Sequence, residues 1–304
     1  MDIYLPIAEV SLNLFLLLLI GSGVGFLSGV FGVGGGFLMT PLLIFIGVPP
    51  AVAVGTGAVQ VTASSVSGAL AHLRRGTVDL RMGSILVVGG IVGSALGILV
   101  FRWLRSVGQI DTVISLSYVF LLGSVGLLMF VEALNAMLRT RRRSGTGARR
   151  LHQHYWLHRL PLKMRFPHSR LYISMITPFV IGAAIGILNA VMGIGGGFIL
   201  IPAMIYLIGM PTSVVVGTSL FQLCFVSAIT GLLQAATNAT VDIVLAMLLI
   251  AGGVLGAQLG SRAGAYLRGD HLRILLALIV LLVGGRLAWD LVATPSDPFY
   301  LTHA

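Results

Sequence analysis

Eight apolar stretches, most of them about 20 residues long, constrain the fold of this chain more than any other feature. A helix of that length rises about 30 Å, which matches the hydrocarbon thickness of a bilayer. The stretches cover residues 10–31, 51–72, 79–101, 108–137, 171–192, 212–236, 241–266 and 271–293. Because lipid offers the backbone no hydrogen-bond partner, the pattern predicts an all-α, polytopic bundle of transmembrane helices.

The composition is that of a protein embedded in a membrane. Of the 304 residues, 57% are hydrophobic and 9% are charged, whereas soluble domains carry about 25% charged residues. Asp2 and Glu9 stand where a signal peptide would be basic, so we expect the first stretch to remain in the mature protein. The single cysteine, Cys224, excludes an intrachain disulfide and is expected to be a small buried apolar residue.

The basic charge is concentrated in one polar segment. The formal net charge is +10, and ten of the nineteen Lys and Arg residues lie between Arg139 and Arg170. A basic loop between apolar stretches is typical of a cytoplasmic loop that contacts anionic lipid headgroups. We therefore interpret the charge as a topology signal and expect no nucleic-acid partner; a regulatory role for the loop is the alternative.

One motif occurs twice in the chain. Gly-Val-Gly-Gly-Gly-Phe at 32–37 returns as Gly-Ile-Gly-Gly-Gly-Phe at 193–198. Two short apolar pieces follow, at 37–47 and 198–209, and they are too short to span a bilayer comfortably. We expect half-helices or re-entrant segments there. Each has a proline, Pro41 or Pro202, which we expect within the first turns, where a missing N–H costs little.

The correspondence between the halves extends past the motif. Thr77-Val78-Asp79 matches Thr240-Val241-Asp242, and Gly89-Gly90 matches Gly252-Gly253. The duplication predicts two transmembrane repeats, 10–137 and 171–294, joined by the basic loop 138–170, with about 8 to 10 membrane segments. Glycine also recurs at every fourth position, which favours close helix packing in lipid. These glycines are Gly21, Gly25 and Gly29, Gly89, Gly93 and Gly97, and Gly252, Gly256 and Gly260.

Charge in the short loops separates the two repeats. Arg74, Arg75 and Arg81 surround the loop after the second stretch, whereas the matching 237–241 segment has no basic residue. If the central loop is cytoplasmic, this difference favours inverted repeats related by an axis in the membrane plane. Inversion requires an odd number of crossings in each repeat, so the short segments would bring the total to about ten.

The two glycine-rich breaks are the best candidates for a binding site. Without Cβ atoms, successive amides can approach a bound group and form an anion-binding nest. The N-terminus of the following half-helix adds partial positive charge. Candidate residues of the first break are Gly32, Gly34, Gly35 and Gly36, and those of the second are Gly193, Gly195, Gly196 and Gly197. The alternative is that the glycines only permit a kink or a tight helix crossing.

Each repeat also places a hydroxyl and an amide on one helical face. Gln60 follows Thr56 by four residues, and Gln222 follows Thr218 by four. Neutral donors of this kind can hold a sulfite, sulfonate or carboxylate while leaving its release easy. Hydrogen bonding between helices is the alternative role for these side chains. Asn189, Ser64, Ser65 and Ser227 extend the polar face more weakly.

The sequence gives little support for proton exchange, nucleotide hydrolysis or metal chemistry. No carboxylate or histidine stands deep in a stretch, and His72 near a helix end is the nearest candidate for proton exchange. The chain has no nucleotide-binding Gly-x-x-x-x-Gly-Lys sequence and no His-Glu-x-x-His metal motif. We therefore expect no enzymatic activity, no catalytic residues, no cofactor and no metal.

At its glycine motifs the chain resembles the TauE/SafE sulfite exporter family, also called the sulfonate uptake permease family. The resemblance rests on Gly-x-Gly-Gly-Gly-Phe-x-x-x-Pro at 32–41 and 193–202, and on Ala-Val-Gly-Thr at 53–56 with Val-Val-Gly-Thr at 215–218. It covers about residues 12–290. It implies a permease for sulfite, sulfoacetate or another small anion. We expect it in the bacterial cytoplasmic (inner) membrane, and the basic charge of the 138–170 loop places that loop on the cytoplasmic side.

The residues and the resemblance together predict a secondary transporter that works by alternating access. Its partners would be a small anionic substrate and the lipid bilayer, and the sequence does not indicate an oligomeric state. The first alternative is an anion channel built from the same parts. The second is a membrane partner subunit or an intramembrane enzyme.

Overall fold

The computed structural model describes residues 2–31, 35–140, 163–166, 168–169, 171–264 and 269–292. This part of the chain is mostly helical, as predicted, and it also contains two short β-hairpins. The first half comprises β1 (Asp2–Leu5), β2 (Val10–Asn13), α1 (Leu14–Phe31), α2 (Gly36–Phe45), α3 (Pro50–Arg74), α4 (Leu80–Ser106) and α5 (Ile110–Thr140). The residues 141–162 of the basic loop lie outside the described residues.

The second half repeats this order of elements. It comprises β3 (Lys163–Phe166), β4 (Leu171–Ser174), α6 (Ile176–Met192), α7 (Gly197–Ala203), α8 (Thr212–Leu233), α9 (Ile243–Gly264) and α10 (Gly269–Val292). A π-helical turn extends α7 over Met204–Ile208, and another extends α8 over Gln234–Asn238. The duplication seen in the sequence is therefore a duplication of secondary structure as well.

Each repeat begins with a hairpin that the sequence analysis did not predict. The apolar stretches expected from residues 10 and 171 start as strands, because β2 pairs with β1 and β4 pairs with β3 in antiparallel register. The backbone groups of these residues are satisfied across the hairpin, so the helices begin only at Leu14 and Ile176. The all-α prediction is thus correct for the bundle and wrong for these four strands.

Five helices in the described residues are long and apolar enough to cross a bilayer. They are Leu80–Ser106, Ile110–Val131, Val214–Asn238, Ile243–Gly260 and Leu275–Val292. The apolar helices Leu14–Val30, Gly36–Phe45, Ile176–Met192 and Gly197–Ile208 are shorter. Large apolar side chains such as Phe120 and Leu282 point outward from the bundle, as expected for a surface that faces lipid. The protein is an integral membrane protein.

Backbone-to-backbone contacts join the two repeats. A Cβ atom added to Gly93 in α4 would lie 2.0 Å from the Ala183 carbonyl oxygen in α6. A Cβ atom added to Gly256 in α9 would lie equally close, 2.0 Å, to the Ser22 carbonyl oxygen in α1. The prediction that the glycine series permits close packing is confirmed at these contacts. The first helix of each repeat therefore packs on the fourth helix of the other.

Helices that correspond to each other in the two repeats cross in antiparallel fashion. In α3 and α8, Gly68 lies beside Leu220, while Gly231 lies beside Val59, so the positions run in opposite directions. In α5 and α10, Gly126 lies beside Val280 and Gly284 lies beside Leu122, so this pair of helices is antiparallel as well. The apolar core surrounds these crossings and includes Phe37, Phe198, Leu249 and Val280.

We predict that Gly93→Val destabilises the protein, because the new side chain has to displace the backbone of α6. Overpacking of this kind costs about 1–3 kcal/mol, and the midpoint of thermal unfolding in detergent should fall accordingly. Gly285→Val is the matched control, because a Cβ at Gly285 meets nothing within 4 Å. Equal midpoints for the two variants would contradict the close packing of α4 on α6.

Candidate functional site

The two glycine-rich breaks meet in the interior of the bundle. The rings of Phe37 and Phe198, which follow the breaks directly, stack with their centroids 4.4 Å apart. A Cβ atom on Gly36 would lie 2.6 Å from the Ile194 carbonyl oxygen of the other break. Gly32 and Gly34 of the predicted site lie outside the described residues. The remaining glycines of both breaks are buried at one place.

The backbone of the breaks requires glycine. Gly35, Gly193, Gly195 and Gly196 all have positive φ, between 50° and 74°, which side-chain-bearing residues rarely adopt. A Cβ on Gly195 would also lie 2.6 Å from the Val61 side chain of α3. No side-chain hydrogen bond caps the N-terminus of α2 or of α7. The breaks therefore present backbone, and not side chains, to the centre of the protein.

Pro41 and Pro202 lie deeper in their helices than the sequence analysis expected. Each is the sixth residue of its helix, counted from Gly36 and from Gly197. A residue at that position would normally donate its N–H to the carbonyl of Phe37 or Phe198, four residues earlier. Proline cannot make this bond, so each short helix lacks one backbone hydrogen bond in its second turn.

Gln60 and Gln222 carry buried polar atoms without a hydrogen-bond partner among the described residues. Gln60 Oε1 and both amide atoms of Gln222 are in this state, and the two side chains are 1% and 0% exposed. Leaving such a group unpaired costs about 1–3 kcal/mol. Gln60 lies against Gly253 of α9, and Gln222 lies against Gly90 of α4. Gly253 and Gly90 are matching positions in the two repeats, so the two contacts correspond. Both glutamines occupy the inner faces of their helices.

Thr56 and Thr218 form hydrogen bonds between the repeats. The backbone N–H of Asp242 donates to Thr56 Oγ1 over 3.1 Å, and that of Asp79 donates to Thr218 Oγ1 over 3.0 Å. The neighbouring glycines make room for these contacts. A Cβ on Gly55 would lie 2.7 Å from the Thr240 carbonyl oxygen, and one on Gly217 would lie 2.5 Å from that of Thr77. The Gly-Thr motif of each repeat thus docks the Thr-Val-Asp segment of the other.

The carboxylates of Asp79 and Asp242 complete these junctions. Each caps its own helix, since Asp79 Oδ1 accepts from the Met82 N–H over 3.1 Å and Asp242 Oδ1 from the Leu245 N–H over 3.0 Å. Each also holds a hairpin. Asp79 Oδ2 accepts from the N–H and hydroxyl of Ser169 over 3.1 and 2.6 Å, while Asp242 Oδ2 accepts from the Ile7 N–H over 3.0 Å.

The second break is held by a buried asparagine. Asn189 Oδ1 accepts the N–H of Gly195 over 2.7 Å, and Asn189 Nδ2 donates to Thr230 Oγ1 over 3.1 Å. The hydroxyl of Tyr118 in α5 donates to the Met192 carbonyl at the end of α6, over 2.7 Å. Side chains from α5, α6 and α8 therefore fix this break from several directions.

The structure brings the described glycines of the breaks together, with both glutamines on the two helices that flank them. It places the threonine hydroxyls differently, at the junctions between repeats. Sequence analysis did not single out Asp79 or Asp242 as important side chains, and it named Asn189 only as a weaker extension of the polar face. The matched Thr-Val-Asp segments, each just before an apolar run, carried the N-cap signal for the two aspartates.

We predict that Thr218→Val and Thr56→Val each destabilise the protein. Valine has nearly the same shape but leaves the N–H of Asp79 or Asp242 buried without an acceptor, at a cost of about 1–3 kcal/mol. The midpoint of thermal unfolding should fall for both variants. Thr237→Val is the control, since Thr237 is exposed and its hydroxyl bonds only within its own helix. An unchanged midpoint in Thr218→Val would rule out a stabilising inter-repeat bond.

Comparison with known proteins identifies the family. The family described as Sulfite exporter TauE/SafE matches residues 17–287 of the chain. A probable membrane transporter protein of Xylella fastidiosa is 35% identical over 280 residues, which cover 90% of this chain and 95% of that protein. The probable membrane transporter protein YjnA of Bacillus subtilis is 28% identical over 276 residues, 89% of this chain and 98% of its own length.

A more local match is found in a plant protein. The Sulfite exporter TauE/SafE family protein 2 of Arabidopsis thaliana is 38% identical over 78 residues, which are 26% of this chain and 17% of that protein. No solved structure matches the chain significantly. The family match extends over nearly the whole bundle, and it confirms the resemblance seen in the glycine motifs. The chain therefore belongs to the TauE/SafE family of membrane transporters.

Proposed function

We propose that the protein is a secondary transporter that moves a small anion, sulfite or an organosulfonate such as sulfoacetate, by alternating access. The observation that carries this proposal is the set of buried, unpaired side-chain atoms on the helices that flank the two glycine breaks: both amide atoms of Gln222, and the Oε1 atom of Gln60. Buried polar atoms are nearly always paired, so atoms left unpaired at equivalent places indicate groups that a ligand completes.

The donors around the breaks suit an oxyanion. The Gln222 amide supplies two unpaired N–H donors, and the uncapped backbone after Gly35 and Gly196 supplies more. These donors are neutral, so they can replace the hydration of an anion without the strong attraction that would slow its release. In this proposal Thr56 and Thr218 position the glutamine-bearing helices through their junctions with Asp242 and Asp79.

The name of the family supports sulfite or a sulfonate as the substrate. The family and its Arabidopsis relatives are named for sulfite export, and sulfite and sulfonate groups both present three oxygen atoms as acceptors. The two N–H groups of Gln222, with backbone donors from the breaks, match such a compact acceptor. A cationic substrate would find no charge complement among these neutral donors.

Inverted repeats give a physical basis for alternating access. An axis along the membrane normal would leave corresponding helices parallel, whereas α3 and α8 run antiparallel, and so do α5 and α10. We therefore infer an axis in the membrane plane, with the short helices α2 and α7 acting as partial crossings next to the site. The two halves could then exchange conformations, opening the site first to one side and then to the other.

The burial of the site favours a carrier over a channel. Gln60 and Gln222 are fully enclosed, and the junctions of Asp79 and Asp242 are also buried. A continuously open pore would leave side chains at these places in contact with water. We propose that the protein resides in the bacterial inner membrane with the 138–170 loop on the cytoplasmic side and no nucleic-acid partner.

We predict that Gln60→Leu and Gln222→Leu each lower sulfite transport by at least about tenfold. Loss of a hydrogen bond to a charged group costs roughly 1.5–3 kcal/mol, which corresponds to this factor or more. Stability should be unchanged or increased for Gln222→Leu, because neither amide atom of Gln222 has a partner among the described residues. Counterflow of labelled sulfite in proteoliposomes measures the transport, and thermal unfolding measures the stability.

Gln109→Leu is the matched control, since Gln109 is exposed in the connection between α4 and α5. Stimulation of uptake by sulfite or sulfoacetate on the opposite side is the expected behaviour of the parent protein and distinguishes a carrier from a channel. The proposal fails if the parent protein moves none of these anions. The site assignment fails if both glutamine variants transport like the parent protein.

We predict that the connection after α3 and the connection after α8 lie on opposite sides of the membrane. Arg75→Cys and Thr237→Cys, each made in a Cys224→Ser background, place a single exposed thiol after α3 or after α8. A membrane-impermeant maleimide should label the first from the cytoplasmic side and the second from the opposite side. Labelling of both from the same side would refute the inverted arrangement.

A further inference from the structure

We propose that Asn189 is a positioning residue for the substrate, which holds the second glycine break in the conformation that binds the anion. This inference rests on the proposed function and adds to it an asymmetry between the halves. The second break, residues 193–196, would be the fixed wall of the site.

Asn189 is fully buried, and its amide orientation is determined by its partners. Its side-chain oxygen accepts the Gly195 N–H over 2.7 Å, so the nitrogen has to face α8. There it donates to Thr230 Oγ1 over 3.1 Å, and Ser227 Oγ lies 3.4 Å away. The backbone carbonyl of Asn189 also accepts the Gly193 N–H over 2.8 Å. One residue therefore binds two glycines of the break.

Thr230, which accepts the hydrogen bond from Asn189, has further hydrogen-bond partners in α8 and α4. Thr230 Oγ1 lies 2.8 Å from the Val226 carbonyl and 2.9 Å from Ser94 Oγ of α4. The chain of bonds thus runs from the break through α6 and α8 to a helix of the other repeat. A buried network in which each member has a partner restrains its members more strongly than isolated bonds would.

The first repeat has different residues at the positions that build this network. Ser28 stands four residues before Gly32, where Asn189 stands four before Gly193. Gly68 corresponds to Thr230, and Ala257 corresponds to Ser94, in the same alignment of the repeats. Serine is shorter than asparagine, and glycine and alanine offer no side-chain acceptor. The duplicated site is therefore unequal in its support although its glycines and glutamines match.

The bond to Asn189 also decides which amides are left for a ligand. The Gly195 N–H is used within the protein, so it does not contribute to anion binding as the sequence analysis expected. The amides that follow it remain in the break next to α8, where Gln222 carries two unpaired amide atoms. Leu223, the neighbour of Gln222, lies 3.6 Å from a Cβ position on Gly196. Asn189 thus fixes the backbone beside the unpaired glutamine.

The test replaces Asn189 by the residue that the first repeat uses. We expect Asn189→Ser to raise the KM for sulfite counterflow about tenfold while Vmax changes less than about twofold, because a binding interaction is weakened and not the transport cycle. Asn189→Asp should raise KM further, because it places a negative charge beside the anion site. Asn13→Ser in β2 is the matched control and should leave KM unchanged.

A second variant separates positioning from simple stability. Thr230→Val keeps the bond to Gly195 but removes the acceptor that orients the asparagine, so its KM should lie between those of the parent protein and Asn189→Ser. A merely structural role would lower the unfolding midpoint of both variants and leave the KM of the folded fraction unchanged, which would overturn the proposal. If the parent protein binds or moves neither sulfite nor sulfoacetate, the proposed function fails instead.

Discussion

This structure depends on close backbone contact between the first helix of each repeat and the fourth helix of the other repeat. Helix α1 of the first repeat packs on α9 of the second, and α6 packs on α4, through glycines that a single methyl group would obstruct. In lipid, where burial of apolar side chains gives little driving force, such contacts supply the van der Waals attraction that holds helices together. Neither repeat can make them alone, so the two halves fold as one unit.

This packing makes it possible to keep irregular backbone at membrane depth. Left-handed conformations occur at Gly35, Gly193, Gly195 and Gly196, and the amide groups of such irregular backbone would be costly in contact with lipid. The crossed helices α3 and α8 cover them, and the stacked rings of Phe37 and Phe198 close the space between the two breaks. A neutral, donor-rich interior is the result, and it is the chemical environment that a small anion requires.

The ends of the bundle are organised by two aspartates that perform the same task twice. Asp79 and Asp242 each join a helix start, a threonine of the other repeat and a hairpin. The sequence contained the matching Thr-Val-Asp segments, but their partners could not be inferred from it. The partner of Asp79 is 139 residues away in the chain, and the partner of Asp242 is 186 residues away. Local spacing carries no information about such contacts.

The sequence by itself determined the helical membrane fold, the duplication, the glycine breaks and the family. These features depend on local composition and on the repetition of motifs, which a chain displays without folding. The tertiary structure decided which polar side chains bind one another. It assigned the threonine hydroxyls to the junctions between repeats, left polar atoms of both glutamines unpaired, and bound Asn189 to the second break. These assignments depend on which helices meet, and packing between distant segments determines that.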